Sequence, residues 1–71
     1  MPKEARVVSD INICGGEPSV KGTRIPVRVV LSHLAAGESL KELLRNFPKL
    51  TEQDVKACLE YASYLAAERV A

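Results

Sequence analysis

The chain has 71 residues, with ten Lys and Arg against nine Asp and Glu, and 46% of its residues are hydrophobic but only 4% aromatic. A domain of this size buries only about 60% of the surface of its unfolded chain, so its stability margin is about 3–5 kcal/mol. Two cysteines and one histidine exclude a disulfide framework and a four-ligand zinc site. We therefore expect association with a second copy to provide the additional stability. A net charge of +1 excludes binding to nucleic acid through overall charge, so any such site has to be a local patch.

The N-terminal residues lead into no long apolar run, which argues against a signal peptide. No segment approaches the roughly 18 apolar residues of a membrane span. We therefore expect a cytoplasmic protein that has no membrane partner and keeps both thiols reduced.

Turn residues and apolar periodicity predict one domain over residues 6–70. Residues 6–26 alternate loosely and are rich in glycine and proline, which is typical of short strands joined by turns, and a small hairpin is expected around Gly15 and Gly16. Helices are predicted over residues 27–36, 40–47 and 52–69. The fold class is therefore mainly α, a three-helix bundle with a short N-terminal β element.

The first two predicted helices each present apolar residues at positions i, i+3, i+4 and i+7. Pro26 suits the first position of the first helix, and Gly37 is expected in a left-handed conformation just after its end. Ser39 and Glu42 have the spacing of a capping box at the start of the second helix. The apolar faces consist of Val27, Val30, Leu31 and Leu34 in the first helix and of Leu40, Leu43, Leu44 and Phe47 in the second.

The third helix is predicted to begin after Thr51, which acts as its cap. Glu52 and Asp54 follow in the first turn, where the helix dipole favours anions. The face expected to point inward carries Val55, Leu59, Ala62 and Ala66.

The sequence has no group of residues that suggests catalysis. His33 lies off the apolar face of its helix and is expected to have no role, and Cys58 is expected to be a small core residue. Cys14 has no base near it in sequence that would activate its thiol. We therefore predict a protein that is not an enzyme, with no catalytic residue, no metal and no cofactor. A further alternative is a small ligand-binding or catalytic protein that uses Cys14, Thr23 and Arg24.

Two groups of cations are candidates for contacts with phosphate. One lies in residues 21–28, where Thr23 and the fork of Arg24 would bind phosphate or carboxylate, and the other recurs along the second helix and its exit. Each group also fits an ordinary solvated loop or helix face. The candidate residues for the DNA backbone are Lys21, Arg24, Arg28, Lys41, Arg45 and Lys49.

The second and third helices, joined by a short turn, form a helix-turn-helix outline. Gln53 and Lys56, in the early turns of the third helix, are the candidates for reading DNA bases. Glu52 and Asp54 argue against this interpretation, because two carboxylates there would face phosphates.

The third helix also carries an outer ridge that a small core does not absorb. Such a ridge suggests contact with another chain, and we predict a homodimer through it. The alternative is that its tyrosines pack over the domain's own hairpin. The ridge consists of Ala57, Tyr61, Tyr64 and Leu65.

Three segments of the chain resemble the signature of the domain of unknown function 433 family. They are residues 13–27 (ICGGEPSVKGTRIPV), 34–39 (LAAGES) and 47–55 (FPKLTEQDV), and the resemblance extends over residues 6–67. It implies a homeodomain-like three-helix domain with a short β element in front, often dimeric, and it assigns no catalytic residue. Members are commonly regarded as VapB-like antitoxins that are encoded beside a PIN-like ribonuclease toxin, bind their own promoter and mask the toxin.

The leading hypothesis is a non-enzymatic, dimeric antitoxin that represses its promoter and binds a PIN-like ribonuclease toxin. Because the chain stops soon after the third predicted helix, we expect contact with the toxin through the N-terminal segment or a helix face. The alternative is a dimeric protein-interaction module of the same fold that does not bind DNA.

Overall fold

A computed structural model describes residues 6–68, in which a small sheet precedes three helices. α1 spans Val27–Ala35, α2 spans Leu40–Asn46 and α3 spans Glu52–Glu68. The predicted fold class, mainly α with three helices and a short N-terminal β element, is confirmed. α1 and α2 each end one residue before the predicted bound. Residue 69, the last of the predicted third helix, and residue 70, the last of the predicted domain, lie outside the described residues.

Two strands of two residues each form the antiparallel sheet. β1 (Val7–Val8) pairs with β2 (Ser19–Val20). The expected strand pairing is present, but the connection is wider than the small hairpin that was predicted around Gly15 and Gly16. These glycines lie in a 3₁₀ turn, Cys14–Gly16, whose three residues all have positive φ, so the chain curls there instead of continuing as a strand.

An aliphatic core lies between the sheet and the three helices. Leu43 is its largest side chain with no exposed surface, and Cys58 is also fully buried. Burial, together with the nearby Asp54 carboxylate, raises the pKa of the Cys58 thiol to about 11, so this residue packs as a small neutral side chain, as expected. The buried apolar residues are Val20, Val27, Val30, Leu43, Leu50, Val55 and Cys58.

The prediction of which residues of α3 point inward is wrong at two of the four positions. Leu59 is 49% exposed, and Ala66 is also exposed. The helix is turned so that Asp54 and Cys58 face the body of the domain together with Val55. The prediction failed because an apolar pattern places every carboxylate on the outside, whereas Asp54 is buried by hydrogen bonds described below.

α1 ends in a Schellman motif, in which the last carbonyls of a helix accept hydrogen bonds from residues beyond its end. The N–H of Gly37 donates to the carbonyl of Leu34 at 3.0 Å, and the N–H of Glu38 donates to the carbonyl of His33 at 3.2 Å. Gly37 has φ 92°, and a Cβ atom at this position would meet nothing within 4 Å. Only the backbone conformation therefore demands glycine here.

We expect Gly37→Val to lower the free energy of unfolding by about 1 kcal/mol or more, because a β-branched residue resists positive φ. Gly37→Asn is the matched control, since asparagine enters the left-handed region more readily and should cost less. Urea unfolding of the three proteins measures the difference. Equal stabilities for the two variants would contradict the proposed reason for glycine.

His33 joins α1 to α2, although the sequence suggested no role for it. Its Nδ1 lies 2.8 Å from Oε2 of Glu38, and its ring meets the ring of Phe47 edge-on, with 5.1 Å between the centroids. Asn46 Nδ2 donates a hydrogen bond of 2.8 Å to Oε1 of Glu38. The carboxylate of Glu38 thus bridges the two helices at their corner.

Glu38 gives the stability of this corner a predictable dependence on pH. The hydrogen bond from His33 and, less strongly, that from Asn46 hold the pKa of Glu38 below its usual value. A carboxyl whose pKa is lower in the folded state contributes stability above its unfolded pKa and loses this contribution as pH falls through the folded value.

We therefore expect that acidification from about pH 6 to about pH 3 destabilises the wild type more than Glu38→Gln, which has no such carboxyl to protonate. Glu60→Gln removes an exposed carboxyl of α3 and serves as the control. Urea midpoints measured at several pH values provide the comparison. Parallel pH profiles for the wild type and Glu38→Gln would refute the role of Glu38.

Candidate nucleic-acid interface

α2, residues 47–51 and α3 together form the helix-turn-helix outline. The turn is anchored in the core by Leu50, which is 5% exposed and whose N–H donates to the carbonyl of Phe47 at 2.9 Å. This anchoring fixes where α3 starts relative to α2. The start of α3 and the cations around the turn are therefore held on an ordered backbone.

A capping box with a buried carboxylate begins α3. Thr51 Oγ1 accepts from the N–H of Asp54 at 3.2 Å, and Asp54 Oδ2 accepts from the N–H of Thr51 at 3.0 Å. Arg6 Nη1 donates to Asp54 Oδ1 at 3.1 Å, and the Asp54 side chain is only 10% exposed. The expectation that two carboxylates would face phosphates is wrong for Asp54, because its charge is turned inward and paired.

The exposed side of the first turns of α3 carries one acid, one amide and one cation. These are Glu52, Gln53 and Lys56, all of them exposed. Both predicted base-reading residues are therefore accessible to a partner that approaches this end of the helix. Of the two acids in the first turn, only Glu52 is exposed beside them.

Arg28 differs from the other cations of the first group because it has a carboxylate partner. Its Nε lies 2.6 Å from Oε1 of Glu17, and its Nη2 lies 3.4 Å from Oε2. This contact lowers the pKa of Glu17 and raises that of Arg28. The charge of Arg28 is already compensated by Glu17. A phosphate would therefore bind Arg28 less favourably than it would bind an unpaired cation.

The hydroxyl of Thr23 is used within its own turn. It donates to the carbonyl of Val20 at 2.8 Å and accepts from the N–H of Ile25 at 3.0 Å. Gly22, with φ 83°, supplies the left-handed residue that this turn needs. Of the predicted pair Thr23 and Arg24, only Arg24 has a side chain available for an anion.

Arg24 and Lys49, which sequence reasoning placed in separate groups, line the same cleft. Its volume is about 340 Å³, and Ile13, Gly22 and Thr23 complete the lining. The remaining candidates, Lys21, Lys41 and Arg45, are exposed but do not line it. The fold thus joins one cation of the first group to one of the second.

Cys14 lies outside the lining of this cleft but contacts the backbone of Arg24. Its Sγ donates a hydrogen bond of 3.2 Å to the carbonyl of Arg24, and its backbone is held at φ 53°, unusual for a residue other than glycine. The thiol therefore links the Cys14–Gly16 turn to the turn that carries Arg24. Sequence reasoning missed this link, since no local pattern pairs residues 14 and 24.

The predicted dimer ridge divides into two parts. Tyr61 and Leu65 line an apolar groove of about 300 Å³ between α1 and α3, opposite Val27 and Leu31 of α1. The other two residues lie outside the groove lining: Ala57 is half-buried and Tyr64 is 63% exposed.

Within residues 6–68, no three His, Cys, Asp or Glu side chains lie close enough together to hold a metal ion. None of the three helices described combines the length and the hydropathy that crossing a bilayer requires.

Comparison with known proteins finds relatives without an assigned function. A curated relative, the uncharacterized protein y4eO of Sinorhizobium fredii (strain NBRC 101917 / NGR234), is 39% identical over 56 residues, which are 79% of this chain but 25% of that protein. The crystal structure of a DUF433 member protein from Anabaena variabilis ATCC 29413 matches with a TM-score of 0.82 and 31% identity, over 92% of this chain and 64% of that one. This chain thus spans a quarter of the length of the curated relative.

The family description "Protein of unknown function (DUF433)" matches residues 7–62, which include the sheet, α1, α2 and the first turns of α3. The resemblance seen in residues 13–27, 34–39 and 47–55 is therefore confirmed, and the chain belongs to the DUF433 family.

Proposed function

We propose that this protein is a non-enzymatic, cytoplasmic and dimeric promoter repressor, and that it serves as the antitoxin to a PIN-like ribonuclease toxin. The observation that carries the DNA-binding part is the burial of Asp54 against Thr51 and Arg6. It leaves Gln53 and Lys56 exposed on the first turns of α3, the part of a recognition helix that reads base edges in the major groove.

The affinity for DNA would come from individually placed cations. A net charge of +1 supplies little long-range attraction, so each neutralised phosphate needs its own side chain. A dimer doubles the cations in use, and about four to six phosphate contacts correspond to a log–log salt slope of about −4 to −5. The exposed candidates that form no ion pair within residues 6–68 are Lys21, Arg24, Lys41, Arg45 and Lys49.

A gel-shift assay with the DNA upstream of the protein's own gene, repeated at several salt concentrations, tests this proposal. We expect retardation at micromolar protein in low salt, with the slope given above. Gln53→Ala should reduce discrimination between this DNA and an unrelated duplex, whereas Lys41→Ala should weaken both complexes and flatten the salt slope. No retardation in low salt would contradict DNA binding.

A second candidate function, a dimeric protein-interaction module that does not bind DNA, is favoured by the groove between α1 and α3. Leu65, in its lining, is 41% exposed, so apolar surface is available there to a partner chain. Both candidate functions predict a homodimer, which light scattering distinguishes from a monomer of 7.7 kDa.

Leu65→Glu should abolish the dimer if the groove is its interface, and Leu59→Glu is the matched control. Leu59 is 49% exposed on the same helix and lies outside the groove lining. Co-purification with a PIN-like ribonuclease encoded next to the gene tests the toxin partner in the same preparations. A dimer that survives Leu65→Glu would place the interface elsewhere.

A further inference from the structure

The cleft that contains Arg24 and Lys49 differs from the other places where cations meet neighbouring groups. Arg6 and Arg28 each have a carboxylate partner, at 3.1 Å and 2.6 Å respectively. Arg24 and Lys49 are exposed and have no hydrogen bond or ion pair from their side chains to any residue between 6 and 68. Two uncompensated cations therefore share one concave surface.

The backbone around both cations is ordered by specific contacts. The turn that carries Arg24 is closed by the N–H of Val20, which donates to the carbonyl of Ile25 at 3.0 Å, and by the hydroxyl of Thr23, which donates to the carbonyl of Val20. The carbonyl of Arg24 itself accepts the hydrogen bond from Cys14. Lys49 directly precedes Leu50, which is anchored in the core. Binding an anion here would order two side chains but no backbone segment, which limits its entropic cost.

The chemistry of the lining favours a phosphate group. No lining residue is acidic, so no carboxylate within the lining competes with an anion for the two cations. An arginine fork matches two oxygens of a phosphate, while a lysine ammonium adds a point charge from any direction. Ile13 supplies an apolar wall, and the volume of about 340 Å³ lies at the lower end of small-molecule sites, so a sugar or base could pack beside the phosphate.

We propose that this cleft is a phosphate-binding site in which Arg24 and Lys49 together hold one phosphate group. The phosphate would belong to the backbone of bound DNA or to a free nucleotide, which offer the same oxygens to these two residues. This inference rests on the proposed function only if the phosphate belongs to DNA. In that case, Arg24 and Lys49 together make one contact with the DNA backbone.

Amide chemical shifts in nuclear magnetic resonance spectra of the full chain test the site with three probes: inorganic phosphate, adenosine 5′-monophosphate and the promoter duplex. We expect phosphate to move the amide signals of Gly22, Thr23, Arg24, Lys49 and Leu50 and to saturate at millimolar concentration. Potassium chloride at the same ionic strength should leave them in place. Equal shifts with chloride would overturn the proposal.

Variants with an unchanged net charge distinguish a specific phosphate site from general electrostatic attraction. Arg24→Gln combined with Glu60→Gln removes one positive and one negative charge, and Glu60 is exposed on α3 away from the cleft. This double variant should bind phosphate at least tenfold more weakly, and Lys49→Gln combined with the same Glu60→Gln change should weaken binding similarly. Glu60→Gln alone should bind phosphate as the wild type does. Wild-type affinity in either double variant would overturn the proposal, provided that circular dichroism shows it folded.

The duplex experiment separates this inference from the proposed function. If phosphate or the nucleotide saturates the cleft but the duplex is not retarded, the cleft is a nucleotide site and the DNA-binding proposal fails. If the duplex moves the same signals, its backbone is the ligand. If the duplex binds equally well to the wild type and to the double variants, and phosphate does not move these signals, DNA binding stands and the cleft proposal fails.

Discussion

Leu43→Ala is expected to leave much of the protein unfolded at 25 °C. Leu43 has no exposed surface and is the one buried residue of α2, a helix of only 7 residues. Truncating a buried leucine to alanine costs about 2–5 kcal/mol, comparable to the whole margin of about 3–5 kcal/mol for a domain of this size. Because a helix this short does not persist in water by itself, it depends on its packing, and the variant loses the one fully buried side chain that α2 contributes to the core.

Leu40→Ala is the matched control, since it makes the same chemical change on the same helix. Leu40 is 37% exposed, so its truncation should cost about 1 kcal/mol or less. Far-UV circular dichroism and urea unfolding of the two variants give the comparison. Equal urea midpoints would show that the burial of Leu43 does not decide the stability of the domain.

The features that the sequence predicted well depend on residues within one helical turn of each other. The Ser39–Glu42 capping box is present, with Ser39 Oγ accepting from the N–H of Glu42 at 3.2 Å and Glu42 Oε1 accepting from the N–H of Ser39 at 3.1 Å. Gly37 has the left-handed conformation that its position after α1 required. Such signals are local, so neither the sheet nor the packing of the helices is needed to recognise them.

The features that the sequence did not reveal depend on residues brought together only by the fold. Arg6 reaches Asp54 across 48 positions of sequence and pairs with the carboxylate that lies on the inner face of α3. The shared cleft of Arg24 and Lys49 has the same origin, because the two turns that carry them are joined by packing and not by sequence spacing. Ser19 is fully buried, and its hydroxyl has no hydrogen-bond partner in the described part of the chain, which a rule that sends polar residues to the surface does not foresee.

Asp54→Ala is expected to lower the free energy of unfolding by about 2–3 kcal/mol, more than an ordinary surface substitution. The change removes the acceptor for the N–H of Thr51, and loss of a capping interaction alone costs about 1 kcal/mol. It also removes the partner of Arg6 and leaves a gap where a nearly buried side chain stood. Glu52→Ala, which removes an exposed acid from the same turn, is the control and should cost only a few tenths of a kcal/mol.

A double-mutant cycle with Arg6→Ala and Asp54→Asn isolates the contribution of the ion pair. Asparagine keeps an oxygen that can accept from Thr51 but loses the charge that faces Arg6. The side chain of Arg6 is 43% exposed and therefore well hydrated, so the coupling between the two residues should be about 0.5–1 kcal/mol, which is modest compared with the cost of Asp54→Ala. Urea unfolding of the four proteins measures it. A coupling near zero would mean that Asp54 is held by the cap of α3 alone.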